Sequence, residues 1–321
     1  MLYFFACFYI VTTMNLVRRT LSVVFSKSTS ALLRLTGWKR SVVYANLRHV
    51  SAAVPLLGGG ELEARTFYRV LVTNLARHAG DLLFGFKTFK KLPADTAAYP
   101  CRRGGLDFCL AEGSAPVLEK MRGGGIFLTA HFGNYEAIGP WLCRLGIPLV
   151  ASYIPVKPAW LNRVLDRKIR AVDGRPYGVD ARTPREFLRL LDCDKLFCLL
   201  ADQDSRIPSA LAGTFLGQAA KMNPLPDFLL RHRPGTPVYV CWLEESPAQG
   251  SLYAHLDAGK KMRACRVLHA EELEFRTNEN SPSPVIDSYN RWLEARIKEN
   301  PSLWYGFTHR RFYSVDSSIY L

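Results

Sequence analysis

The stretch Gly125-Ile-Phe-Leu-Thr-Ala-His131-Phe-Gly-Asn-Tyr-Glu136 is the best guide to the fold, because an apolar run ends in a histidine and a carboxylate follows five residues later. Residues 126–129 favour a buried strand, since β-branched and aromatic side chains suit a pleated, covered surface. Gly133 and Asn134 are typical of a turn and a helix N-cap, so a helix is predicted from Tyr135. His131 is therefore expected at the carboxyl end of a strand, where open α/β sheets bind their ligands.

The chemistry of this stretch depends on Glu136, which is expected in the first turn of the helix, where the helix dipole favours an anion. From there its carboxylate can hold one imidazole nitrogen of His131 and leave the other to take a proton. That arrangement is a general base with its orienting partner. A satisfied core histidine is the alternative that this spacing alone leaves open.

Strands and helices alternate through the rest of the chain. Helices are predicted over residues 115–122, 135–145, 159–172, 184–191, 223–231 and 288–298. Strands are predicted over residues 125–130, 148–154, 195–201 and 237–243, with later candidates at 252–256 and 264–268. This alternation indicates an α/β fold with a mostly parallel central sheet flanked by helices.

Three regions are predicted: an N-terminal membrane anchor at residues 1–19, a helical membrane-proximal segment at 20–95 and an α/β domain at 96–321. Residues 1–17 are apolar and carry no charged side chain, while basic residues are frequent from Arg18 to Arg40. The positive-inside rule then places the body of the protein on the cytoplasmic side. A buried first helix, or a start at Met14, remains the alternative.

Composition narrows the class of partner. The 321 residues are 48% hydrophobic, and 42 Lys and Arg against 28 Asp and Glu give a net charge of +14. This charge suits an anionic membrane surface, a nucleic acid or an acidic carrier protein, or reflects an unspecific basic surface. The 8 cysteines include no CxxC pair and no zinc-ligand spacing, so no metal site is expected. This cysteine usage also indicates a reducing compartment.

The block from His131 to Glu136 resembles the HX4(D/E) motif of the glycerolipid acyltransferase superfamily. It is most similar to the HFGNWE-type motif of the bacterial lipid A (Kdo2-lipid A lauroyl/myristoyl) acyltransferase family. Three supporting blocks follow in the family's order, at Asp202-Gln203, residues 213–221 and residues 304–312. The resemblance spans about residues 20–313 and implies a glycerolipid acyltransferase-like sheet.

The resemblance implies an inner-membrane enzyme whose catalytic domain faces the cytoplasm. It would move a fatty acyl group from an acyl thioester, on acyl-carrier protein or CoA, to a hydroxyl of a lipid A precursor or related glycolipid. His131 would deprotonate that hydroxyl and Glu136 would orient His131. The acyl thioester is a co-substrate and no cofactor is implied. A nucleic-acid partner is not expected, because no recognition module is present.

The resemblance also implies a substrate-binding set, which consists of Asn134, Asp202, Gln203, Phe215, Lys221, Arg310 and Arg311. One position departs from the family: Ile154 stands where an arginine would stabilise the oxyanion, and Lys157 or Arg163 are the candidate substitutes. Two alternatives stay open. One is an acyltransferase for a lysophospholipid or a phosphatidylinositol mannoside, and the other is a non-catalytic membrane-bound relative.

Overall fold

An eight-stranded sheet, most of whose strands run parallel, forms the centre of the molecule in the part of the chain that the structure describes. The structure is a computed structural model. It describes residues 20–54, 61–104, 106–152, 157–168, 170–173, 175–179, 183–246, 265–275 and 283–321. The predicted mixed α/β fold, with a mostly parallel sheet flanked by helices, is confirmed.

The strands follow one another along the chain in this way. They are β1 (Cys101–Arg103), β2 (Leu106–Leu110), β3 (Gly125–Thr129), β4 (Leu149–Ser152), β5 (Ala171–Val172), β6 (Arg175–Pro176), β7 (Gly178–Val179), β8 (Leu196–Leu200), β9 (Leu211–Phe215), β10 (Gln218–Met222), β11 (Val238–Ser246) and β12 (Cys265–Glu272). The main sheet has the order β1-β2-β12-β11-β3-β8-β4-β7, while β9 and β10 form a separate hairpin. β3 lies between β11 and β8 and is parallel to both.

The helices cover both faces of this sheet. Residues 20–36 form α1. The others are α2 (Arg40–Val50), α3 (Glu61–Gly80), α4 (Phe86–Phe89), α5 (Ser114–Lys120), α6 (Ile138–Arg144), α7 (Ala159–Lys168), α8 (Pro184–Leu191), α9 (Leu225–His232) and α10 (Pro284–Glu299). A π-helical turn, Asp81–Gly85, joins α3 to α4.

Strand β3 is buried on both faces, which is why its sequence is continuously apolar. Ile126 and Leu128 pack into one apolar cluster, together with side chains of α2, α3 and α10. Phe127 points the other way, into a second cluster that includes side chains of α5 and α6. Each such side chain contributes about 2 kcal/mol by leaving water, so the end of β3 is a firm base for the residues that come after it.

Several element predictions are confirmed and others need correction. The helix over residues 184–191 is confirmed, with Thr183 and Glu186 forming a capping box. The helix predicted over residues 135–145 begins as a 3-10 turn, Tyr135–Ala137, before α6. The helix predicted over residues 159–172 ends at Lys168, and Ala171–Val172 is a strand instead. The strand proposed at 252–256 lies outside the described residues.

The membrane predictions also need correction. Among the residues that the structure describes, no helix is long and apolar enough to cross a bilayer. The predicted inner-membrane placement is therefore wrong for this part of the chain. The anchor predicted at residues 1–19 lies outside the described residues, and the domain boundaries stay a prediction. Helices of the 20–95 segment share the sheet's own core, through Val43, Val50, Phe67 and Leu71.

Candidate functional site

His131 lies just beyond the carboxyl end of β3, as the sequence predicts, with its side chain 20% exposed. The neighbouring strand β8 is parallel to β3, and the register pairs Thr129 with Leu200. The residues that come after β8 therefore emerge at the same edge of the sheet as His131. The first polar residue among them is Asp202.

Asp202 is the carboxylate that holds the imidazole. Its Oδ1 lies 2.8 Å from Nδ1 of His131, and its Oδ2 accepts a hydrogen bond from the His131 backbone N–H at 3.1 Å. The indole N–H of Trp304 donates to the same Oδ2 at 2.9 Å. The Asp202 side chain is fully buried, so these three donors replace the water that the carboxylate has lost.

Each charge of this pair stabilises the other. Burial raises the pKa of Asp202, but the His131 charge and the hydrogen bonds from His131 and Trp304 bring it below its usual value. Burial likewise lowers the pKa of His131, but Asp202, with a smaller contribution from Glu136, raises it overall. The contact thus shifts the pKa of each group in the direction that favours its ionised form.

The second ring nitrogen of His131 points away from Asp202. The amide nitrogen of Gln203 lies 3.3 Å from Nε2, and the Gln203 side chain is exposed. In the neutral ring, with the Nδ1 proton directed at Asp202, Nε2 carries the lone pair and is the nitrogen that can take a proton. His131, Asp202 and Gln203 are the predicted site residues that the structure brings together.

Glu136 occupies the 3-10 turn after His131 rather than a position against the ring. No hydrogen bond joins Glu136 to His131 among the described residues, and Asp202 holds the nitrogen that the sequence pattern assigns to Glu136. Burial raises the pKa of Glu136, while the charges of Arg170 and His131 oppose that rise. Glu136 therefore acts on the pKa of His131 only through the electrostatic effect of its charge. A catalytic role for Glu136 stays a prediction.

Residues 303–305 hold both members of the pair in place. The backbone N–H of Tyr305 donates to the carbonyl of His131 at 2.8 Å, and that of Gly133 donates to Leu303 at 2.9 Å. Phe132 forms an isolated antiparallel bridge with Trp304, whose indole reaches Asp202. Gly133 has a φ of 58°, and a Cβ there would lie 3.0 Å from a backbone oxygen, so any other residue would be strained at this position.

His309 is a residue of this site that sequence reasoning misses. Its ring centre lies 5.8 Å from that of His131, and its side chain is exposed. The backbone is fixed, because the Asn46 side chain donates to the His309 carbonyl at 2.8 Å. The signal is present in the block at residues 304–312, where the resemblance selects only the two arginines after His309.

The remaining predicted residues lie in three other settings. Phe215 is buried against the Trp304 ring, and the buried guanidinium of Arg311 lies over Phe215 and donates to the Lys221 carbonyl at 3.0 Å. Phe215 therefore packs on the residue whose indole N–H donates to Asp202. Arg310 is exposed over the rings of Tyr313 and Tyr320. Asn134 is buried elsewhere and donates to Asp81 at 3.3 Å.

Asn134 belongs to a buried cluster of charges behind the His131 loop. Arg266 pairs with Asp81 and lies 3.3 Å from Glu245, which also pairs with Arg77 at 3.0 Å. His78 completes the cluster through a hydrogen bond with the Tyr305 hydroxyl. We refer to Arg77, His78, Asp81, Glu245 and Arg266 as the rear charge cluster.

Three residues are relevant to the missing oxyanion arginine. Ile154 lies outside the described residues, while Lys157 and Arg163, the suggested substitutes, are exposed.

In the described part of the chain, no group of three or more His, Cys, Asp and Glu side chains could hold a metal ion.

Comparison with known proteins points away from the predicted family. No family model matches the chain. D-alanine–D-alanine ligases from Mycobacterium bovis (BCG Pasteur) and from two Mycobacterium tuberculosis strains, H37Ra and H37Rv, are each 27% identical to it over 168 residues. The match covers 52% of this chain and 42% of each ligase, so the chain spans less than half the length of these curated relatives.

This similarity corrects the family prediction and the activity inferred from it. The relatives are ligases, so the assignment to the lipid A acyltransferases, and with it the acyltransferase activity, is wrong on this comparison. The partners taken from that resemblance, acyl-carrier protein or acyl-CoA and an anionic membrane lipid, are withdrawn with it. The geometry around His131 does not depend on the family, and any functional proposal has to account for it.

Proposed function

We propose that the chain is an enzyme in which His131 is the general base that activates a nucleophile. The observation that supports this most strongly is the buried carboxylate of Asp202, 2.8 Å from Nδ1, beside a histidine whose other nitrogen is turned away from it. A histidine that served only the core would have no need of an exposed face. The position at the carboxyl edge of a parallel sheet also favours a ligand site.

The chemistry is set by the two nitrogens. An O–H or N–H of the substrate donates a hydrogen bond to Nε2 of His131, and the proton moves to that nitrogen as the nucleophile attacks. The imidazolium that forms is stabilised by Asp202, which stays ionised because its pKa is held low by His131 and Trp304. Such a base typically contributes a factor of about 100 to 10,000 in rate. Proton transfer to His131 requires no resident cofactor.

Ligation is the reaction class that the sequence comparison favours. The similar proteins are ligases that, by their name, join D-alanine to D-alanine. In such a reaction ATP activates a carboxyl group, and an amine or hydroxyl then attacks it. The deprotonation of that amine or hydroxyl is the step in which His131 would act. ATP and small amino or hydroxy acids are accordingly the substrates we propose to test first.

The experiment uses the purified full chain with ATP, Mg²⁺ and a panel of D-alanine, L-alanine and D-lactate. Release of ADP and phosphate is followed, and products are identified by mass spectrometry. We expect a condensation product that depends on ATP, with a rate at least about 100-fold lower in His131→Gln. His232→Gln is the matched control, because His232 is exposed and lies on α9. It should turn over like the wild type.

Two outcomes separate the parts of this proposal. Equal turnover by His131→Gln and the wild type would overturn the general-base assignment. A panel of simple p-nitrophenyl esters, run in parallel, tests water as the nucleophile. If esters are cleaved in a reaction that depends on His131, and no acceptor in the panel leads to consumption of ATP, the proposal of ligation is overturned. His131 would then be the base of a hydrolase.

A further inference from the structure

Two cysteine thiols meet across the neighbouring parallel strands β2 and β12. The Sγ atoms of Cys109 and Cys265 lie 3.0 Å apart, although 156 positions separate the two residues in the chain. Among the cysteines that the structure describes, this is the one pair whose sulfur atoms are in contact. A disulfide bond is about 2.05 Å long, so closing it here requires the sulfurs to approach by about 1 Å.

The register of the sheet puts both thiols on the same face. Cys109 is opposite Val267, and Cys265 comes two residues before Val267, so the two cysteine side chains project to the same side. They are diagonal neighbours, and the sulfur atoms make the contact between them. Because Cys265 is the first residue of β12, the remaining approach can be made at the end of a strand instead of its middle.

Small molecules in solution have access to this pair. Along β12 the residues alternate between buried and partly exposed, and Cys265 is on the partly exposed side. Cys109 is partly exposed as well, whereas Cys198 and Cys241 are buried. Thiol–disulfide exchange needs an accessible sulfur, so the pair that is in contact is also a pair that an oxidant can reach.

We propose that Cys109 and Cys265 form a reversible disulfide, with glutathione disulfide as the oxidant. One protein thiolate attacks a sulfur of glutathione disulfide, which gives a mixed disulfide and releases one glutathione. The second protein thiolate attacks the protein sulfur of the mixed disulfide and releases the other glutathione. The protein loses two electrons and two protons, which the two glutathione thiols carry away. This site is independent of His131 and of the reaction that His131 serves.

The disulfide fastens β12 next to the rear charge cluster. Cys265 directly precedes Arg266, the buried arginine that pairs with Asp81. The crosslink also closes a long loop of the chain, which lowers the entropy of the unfolded state. Oxidation should therefore stabilise the folded protein, and reduction should reverse the effect.

The test uses the native full chain, incubated with glutathione disulfide, alkylated, and digested with trypsin without reduction. Burial and the hydrogen bond with Cys109 raise the pKa of Cys265 to about 12, so the reaction is run at about pH 8.5, where more thiolate is present. Trypsin releases Cys109 in residues 104–120 and Cys265 in residues 264–266, and neither peptide has a second cysteine. Mass spectrometry therefore identifies the crosslink without ambiguity.

We expect the crosslinked peptide pair to form at least about tenfold faster in the native chain than in the chain unfolded in urea. The reason is that contact raises the effective concentration of the second thiol. Cys109→Ser should lose the crosslink and leave Cys265 as a mixed disulfide with glutathione, and Cys265→Ser should give the reciprocal result. Cys193→Ser is the matched control, because Cys193 is an exposed cysteine of the described chain outside this contact, and it should crosslink like the wild type.

The urea midpoint provides a second readout. It should be higher in the oxidised wild type than in the reduced protein and should return after dithiothreitol is added, with no such shift in Cys109→Ser. Three results would overturn the proposal. They are no crosslink under conditions that modify Cys193 with glutathione, a crosslink that forms no faster in the native than in the unfolded chain, and an oxidised midpoint that is not above the reduced one.

Discussion

His131 and His78 are the same side chain in two opposite electrostatic settings. His131 has Asp202 in direct contact at 2.8 Å, and its pKa is raised. His78 is buried in the rear charge cluster, where the nearest carboxylate oxygen is 3.9 Å away and burial lowers its pKa to about 3. A carboxylate within hydrogen-bond distance therefore raises the pKa of a mostly buried imidazole that burial alone would lower.

The two settings are joined by Tyr305. Its backbone N–H donates to the His131 carbonyl at 2.8 Å, and its hydroxyl is hydrogen-bonded to His78. The rear charge cluster thus braces the loop whose first residue is the proposed base. The His131 site thus binds a proton that can be transferred, whereas the rear charge cluster stabilises the position of the loop.

The largest expected effect comes from breaking the rear charge cluster. Arg266→Met leaves Asp81 and Glu245 buried without their shared cation, so the free energy of unfolding should fall by about 4 kcal/mol. Urea denaturation measures this loss. Lys120→Met removes an exposed ion pair with Glu272 and is the control, with a nearly unchanged midpoint. A similar midpoint for both variants would show that the cluster does not stabilise the fold.

Removing the charge next to His131 should have the next largest effect. Asp202→Asn keeps the shape but weakens the contacts of Asp202 with His131 and Trp304, at a cost of about 2 kcal/mol in unfolding free energy. Because the imidazolium loses its partner, kcat/KM in the reaction found for the chain should fall about 100-fold. Stability is measured by urea and activity by initial rates. Wild-type kcat/KM in this variant would exclude Asp202 from the mechanism.

The pH dependence of stability should run in opposite directions for the two histidines. The pKa of His131 is raised on folding, so its contribution is fully present below the unfolded value of 6.5 and is lost as pH rises through the folded pKa. The pKa of His78 is lowered to about 3, so its contribution is present above 6.5 and is lost as pH falls toward 3.

Urea midpoints measured from pH 4 to pH 9 test this contrast. His78→Gln should flatten the loss of stability below pH 6.5, and His131→Gln should flatten the loss above pH 6.5. His232→Gln should follow the wild type throughout. Identical slopes for the two variants would contradict the difference between the two sites.

The smallest expected effect concerns His309. Its exposed ring lies 5.8 Å from the His131 ring, close enough to contact a substrate held at Nε2. His309→Gln should lower kcat/KM about tenfold, the weight of one ordinary hydrogen bond, with no change in the urea midpoint. His232→Gln, at an exposed residue of α9, serves as the control. A kcat/KM equal to that of the wild type would remove His309 from the site.

The sheet and the position of His131 could be predicted from the sequence, because both depend on local patterns. The apolar run of β3 and the capping box of α8 are complete within a few residues. Asp202 is expected at the same edge as His131, since it closes another apolar strand. Its contact with Nδ1 could not be assigned, because Glu136 is nearer in sequence and only the pairing of β3 with β8 favours Asp202.

Other parts of the site have no local signal. His309 reaches His131 only because Phe132 and Trp304 form a bridge between segments without regular structure. Asn134 joins the rear charge cluster through Asp81, more than fifty positions earlier in the chain. The family resemblance rests mainly on one short block. Such a block predicts a geometry better than it predicts a family, since unrelated proteins can share a base and its turn.

The most direct test of the central claim is the pKa of His131, measured by NMR titration of the imidazole in the wild type and in Asp202→Asn. His131→Gln identifies the resonance. We expect a pKa above 6.5 in the wild type and a clearly lower one in Asp202→Asn, because burial then acts on His131 without the Asp202 carboxylate. The same pKa in both proteins would contradict the claim that Asp202 holds and charges the proposed base.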